Sequence, residues 1–193
     1  MYNKLEDITL YYYPEGEKAK FFALKHNVIS DLYVHYLDGY KPPKTTRISV
    51  QLSDSDYIRG YLGSILMVEA KFNKDSYWEL GDKDKNKVIL DTVHRIAMLC
   101  VNKYNWDSEV FINAYEKVIQ ADFIYEIELK KKLSKNKKYK ASILIEKNEI
   151  NALISALFYD NEDNLIKKIE LIKTFNWQGF HWIQSADDIF IVI

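Results

Sequence analysis

Near residue 122 the spacing of apolar side chains changes from a period of about 3.6 to a period of 2, and this switch limits the fold more than any other feature. Before it, Ile89, Val93, Ile96, Ala97, Cys100 and Tyr104 recur at helical spacing, which predicts an amphipathic helix over 87–104. Asn105-Trp106-Asp107 breaks the pattern, and Asp107 or Ser108 can cap a second helix whose stripe is Phe111, Tyr115, Val118 and Ile119 and which ends near Asp122.

After the switch, Phe123, Tyr125, Ile127 and Leu129 alternate with Glu126, Glu128 and Lys130, the pattern of a half-buried strand. Three more strand-like segments follow at 139–145, 150–159 and 165–175, separated by polar turns at 134–138, 147–149 and 160–164. This predicts a four-stranded antiparallel meander, with the two preceding helices as the nearest cover for its apolar face, and a last strand at 189–193 on an edge.

The first half of the chain predicts strands at 8–13, 47–52 and 64–72. Between the first two, Phe21, Phe22, Val28, Ile29, Leu32, Tyr33, Tyr36 and Leu37 fit a helical stripe that stops before a left-handed cap at Gly39. The β-branched and aromatic content, with His26-Asn27 as a turn, also allows a hairpin there; the helix is preferred. With no repeat and no Gly/Ser linker, the expectation is one α+β domain over residues 1–193.

Several classes of chemistry have no support. One cysteine, Cys100, excludes an intramolecular disulfide and fits a reducing compartment; on the apolar stripe of its helix it reads as an inert buried thiol. The early acids of Lys4-Leu5-Glu6-Asp7 and the short apolar runs predict no leader, no membrane span and a cytoplasmic location.

His26, His35, His94 and His181 show no metal-ligand spacing, and Asp31 with His35 reads as a surface pair on one helix face. Asp82, Asp84 and Asn86 open like a calcium loop, but Lys87 and Val93 occupy the positions that need glycine and glutamate, so they read as the solvated loop before a helix. The run 160–164 reads as a hairpin turn.

Gly60-Tyr61-Leu62-Gly63 matches neither phosphate-loop pattern, and Glu126 with Glu128 reads as the solvent side of a strand. No cofactor or metal is implied, and the residues lean away from catalysis.

Two features invite a binding role. Lys130, Lys131, Lys132, Lys135, Lys137, Lys138 and Lys140 are seven cations with no acid between them, while the other 182 residues carry 20 basic against 28 acidic side chains. This basic knob at a hairpin tip suits an acidic protein partner. Nucleic-acid binding is an alternative, but the run lacks arginine, Tyr139 is its one aromatic, and the acidic remainder would repel a polyanion.

The second feature is Trp177, Phe180, His181 and Trp182, which could line a small-molecule or enzymatic pocket or close the core. Exposed strand edges would also allow two copies to pair. In composition, a small, cofactor-free α+β chain rich in Lys, Asn, Ile and Tyr resembles bacterial immunity proteins that neutralise a toxin. The resemblance implies a non-catalytic protein-binding module.

Overall fold

The computed structural model describes residues 4–12, 16–135 and 137–176. The fold is mixed α+β, and its packing forms two compact units, Met1–Phe123 and Ile124–Ile193, each taken by itself below.

The first unit contains β1 (Asp7–Tyr11), α1 (Glu17–Tyr36), β2 (Arg47–Ser53), β3 (Tyr57–Leu62), β4 (Ile65–Lys71), α2 (Lys74–Glu79), α3 (Asp82–Tyr104) and α4 (Ser108–Gln120). Its sheet runs β1-β2-β4-β3, with β1, β2 and β4 mutually parallel and β3 antiparallel to β4. Parallel neighbours need a crossover, and α1 supplies the one from β1 to β2.

Alternation puts Ile8, Leu10, Ile48, Val50, Leu52, Leu66, Val68 and Ala70 on one buried face. Helix α1 packs on β1 and α3 on β4, while α4 packs on α1 and α3. The opposite face carries polar pairs, Asp7 with Arg47 and Glu69 with Arg59 and Ser53.

The preferred helix at 21–37 is present as α1, and it ends through left-handed Asp38 and Gly39 as the glycine predicts. Helix α3 begins at Asp82, so Asp82 and Asp84 lie in its first turn and Asn86 follows within the helix, not in a loop ahead of it. Acids there complement the positive end of the helix dipole, and Asp82 also receives the buried Lys25 ammonium of α1 at 3.2 Å. Its far end closes with Asn105 left-handed and the Trp106 N–H bonded to the Val101 carbonyl.

Asp107 is the N-cap of α4, its side chain accepting from the Glu109 N–H. The strand expected from Phe123 starts at Tyr125, because Asp122 and Phe123 are both left-handed in the turn that caps α4. Strand β3 and the short α2 escape the sequence reading. In β3 the ladder shifts register between Ile58 and Gly60, a bulge that breaks the alternation.

The second unit contains β5 (Tyr125–Glu128), β6 (Lys132–Leu133), β7 (Lys140–Lys147), β8 (Asn151–Tyr159) and β9 (Leu165–Phe175), all antiparallel neighbours in the order β5-β7-β8-β9 with β6 beside β7. The meander is therefore present, its first strand split into β5 and β6. Register sets Ile127, Ile145, Ile154 and Ile172 opposite one another in a single row across four strands. Branched side chains facing each other in this way are the packing unit of a sheet. The segment 189–193 lies outside the described residues.

Two predictions follow from these cores. His26 is fully buried, its Nε2 accepting from the Leu10 N–H and its Nδ1–H donating to the Phe22 carbonyl, so it is a neutral tie between β1 and α1. Burial lowers its pKa from 6.5 to about 4, opposed by the bond to Phe22 and by Asp7. The unfolded chain then binds this proton first, so stability falls from pH 6.5 down to about 4 by up to about 1.4 kcal/mol per pH unit from this group. In urea unfolding followed by tryptophan fluorescence, H26Q will be less stable at pH 7 and will show a shallower decline over that window.

In the second unit, Ile145 is 0% and Ile172 44% exposed. I145A will cost about 2–5 kcal/mol of that unit's stability and I172A clearly less, measured by amide exchange of β7 and β8.

Candidate functional site

All seven lysines of the knob lie within or beside one hairpin of the second unit. β6 pairs with β7 through Lys132 opposite Ala141 and Leu133 opposite Lys140. The reversal is fastened by Ser134: its N–H donates to the Tyr139 carbonyl at 2.8 Å, its carbonyl accepts from the Lys137 N–H at 2.9 Å, and its Oγ accepts from the Tyr139 N–H at 3.1 Å. Lys137 takes a left-handed conformation there, with φ 57°.

The structure divides the lysines into two groups. Lys131 and Lys140 form the root: their ammonium groups reach the two oxygens of Asp163 at 3.2 and 2.7 Å, and Lys140 also donates to the Asn161 carbonyl. Lys131 lies over the Tyr159 ring, 3.7 Å from its centroid, a cation–π contact. The bonds from Lys140 and Lys131 hold the Asp163 carboxyl below the usual range. Lys135, Lys137 and Lys138 are exposed around the tip, and Lys130 and Lys132 are exposed along the segment that leads to it.

A second layer supports the root. Glu128 accepts from Ser142 Oγ at 2.6 Å and from Tyr159 Oη at 2.8 Å, so it positions the ring on which Lys131 rests. Burial, followed by this bond to Glu128, raises the Tyr159 pKa. Glu128 thus does more than face solvent.

Asp163 belongs to the β8–β9 turn, whose shape comes from Asp160: its carboxylate accepts from the N–H groups of Glu162 and Asn164 and from the Asn164 amide. The hairpin turn expected at 160–164 therefore has a function the linear pattern hides: it brings an acid 23 residues distant onto Lys140.

Other side chains singled out from sequence fall elsewhere. Trp177, Phe180, His181 and Trp182 lie outside the described residues. Cys100 is buried, its pKa pushed up to about 12 by burial. Asp31 and His35 share α1, where the His35 ring packs on Tyr36. Gly60 is at the β3 bulge, and Gly63, with φ 63°, opens the two-residue β3–β4 turn, so the four-residue segment belongs to a hairpin. No group of three or more metal-ligating side chains occurs among the described residues, and none of their helices is long and apolar enough to cross a membrane.

One arrangement has no linear signal at all. On α3, Lys87 and Asp91 pair with each other and both bond Tyr115 Oη of α4; the Tyr115 ring lies 4.5 Å from that of His94. His94 Nδ1–H donates to Tyr33 Oη of α1, which donates to the Phe111 carbonyl. Burial is the largest influence on His94 and lowers its pKa. Every polar atom named has a partner, so the network reads as a latch among three helices.

Because one carboxylate accepts from both root lysines, D163N will loosen the root. Amide exchange at Lys132, Leu133 and Ala141 will accelerate while exchange at Ile145 and Ile154 stays unchanged. Unchanged protection around the tip would mean that the Ser134 bonds alone hold the hairpin.

No family model, no curated protein and no solved structure matches this chain.

Proposed function

We propose that the chain is a non-catalytic protein-binding module that presents the β6–β7 hairpin to an acidic surface on a partner protein. The observation that carries this reading is the division of the lysines. Asp163 fixes Lys131 and Lys140 at the root, so the exposed lysines of the hairpin are offered from an ordered base and less conformational freedom is lost on binding. Tyr139, 44% exposed, and Leu133, 53% exposed, add apolar contact beside the charges.

Charge of this density accelerates encounter with an acidic partner and repels a basic one. The compositional likeness to immunity proteins favours a partner of toxin type, neutralised by covering its surface. Nucleic acid is the competing polyanion; the absence of arginine from the run and the acidic remainder of the chain weigh against it.

Tagged full-length chain recovered from nuclease-treated lysate of its host tests the proposal, beside a variant carrying Lys130, Lys132, Lys135, Lys137 and Lys138 each changed to Glu. One acidic protein will be recovered in near-equal amount with the native chain at low salt, and lost both with the variant and at high salt. Recovery with both chains would remove the hairpin as the site. Binding of a labelled 30-base-pair duplex that falls steeply with salt would transfer the hairpin to nucleic acid.

A further inference from the structure

Strand β9 is an outer strand of the second unit's sheet, and at 11 residues it is longer than the outer strands β1, β3 and β5. Among the described residues β8 is the one strand that pairs with it. The far edge of 165–173 therefore presents a row of backbone donors and acceptors that a further strand can use. The strand is also rich in large exposed apolar side chains, namely Leu165, Ile166, Leu171 and Ile172.

The order of its residues says which strand fits. The ladder with β8 shifts at two points, so that Ile166 and Leu171 have no counterparts, and between these bulges Lys167, Lys168, Ile169 and Glu170 pair regularly with Phe158, Leu157, Ala156 and Ser155. Two copies joined edge to edge in antiparallel fashion share a two-fold axis across the sheet, which sets one residue opposite itself. Three of the four residues in the regular stretch are charged, and like charges directly opposite one another are destabilising.

Ile169 is the fourth. Centred on it, the register sets Ile169 against Ile169 of the second copy, and Lys168 of each copy against Glu170 of the other. Alternation puts Lys168 and Glu170 on one face of the sheet, so the two opposite charges meet twice. Lys168 already bonds Glu146 at 2.6 Å, and its ammonium has further protons to donate. Glu170 is exposed and forms no ion pair among the described residues. A lysine on an edge ordinarily repels a second strand; in this register it finds an acid.

We propose that the chain forms a homodimer in which β9 pairs antiparallel with β9 of a second copy, centred on Ile169. The exposed Leu165, Ile166, Leu171 and Ile172 lie on either side of that centre and add apolar area along the seam. Strands β5 and β6 are at the opposite edge of the sheet, so the seam leaves the lysine hairpin open and the dimer carries two of them.

The only cysteine, Cys100, is buried, so a cysteine introduced into β9 reports the seam. Opposed residues of an antiparallel pair stand about 4.5–5.5 Å apart at Cα, within disulfide range, so I169C will cross-link two chains on mild oxidation. K167C, which this register sets opposite Leu171, will not. Sedimentation equilibrium of the full chain will give a dimer with a Kd below about 100 μM, and E170K and K168E will each weaken it by about tenfold or more. Mixed in equal amounts, the two variants will recover the dimer, because one chain then offers two acids to the other's two bases. The hairpin variant with five glutamates will dimerise as the native chain does. A monomeric native chain, equal cross-linking of I169C and K167C, or a mixture that stays monomeric would overturn the proposal and leave the edge to another protein or to residues 177–193.

Discussion

Parallel pairing of β1, β2 and β4 is the constraint on which the first unit depends. Two parallel strands cannot be joined by a tight turn, so the chain must leave the sheet, cross its apolar face as α1 and return. That crossover packs on β1, and α3 packs over β4. It also leaves three strand ends at one edge, where the polypeptide must turn and where Arg95, Asp56 and Lys71 lock the turn in place. A cleft of about 410 Å³ lined by Asp54, Lys71, Phe72, Asn73, Lys74 and Asp75 lies at this edge as a consequence of that topology.

The second unit works by opposite means. Its strands are joined by short turns and are all antiparallel, so polar groups distribute to the tips while branched side chains stack across the sheet. The lysine hairpin would be a costly concentration of like charge unless something opposed it. Asp163 and the Tyr159 ring do so at the root, and Glu128 steadies the ring. What a partner would meet is consequently a charged tip on a fixed base.

Charge placement differs between the lysine hairpin and the strand ends of the first unit. At the hairpin the cations are consecutive in sequence and convex, suited to a broad complementary face. At the strand ends Lys71 and Lys74 share the lining of a concave, partly apolar space with Asp54 and Asp75.

The sequence by itself determined the helices α3 and α4, the meander and the lysine cluster, because each rests on local periodicity or composition that needs no distant partner, whereas its pattern at 21–37 allowed a hairpin beside the helix α1. It did not disclose β3, whose bulge at Arg59 interrupts alternation, nor the start of α3 at Asp82, where acids that resemble a loop stabilise a helix end. Only the tertiary structure decided which strands run parallel, since the side-chain period is the same in either direction. It alone brought Asp163 onto Lys140 and Lys131, and Trp78 onto Tyr12 across 66 residues. Contacts of that kind depend on where chain reversals place distant segments, and no local pattern of residues encodes that distance.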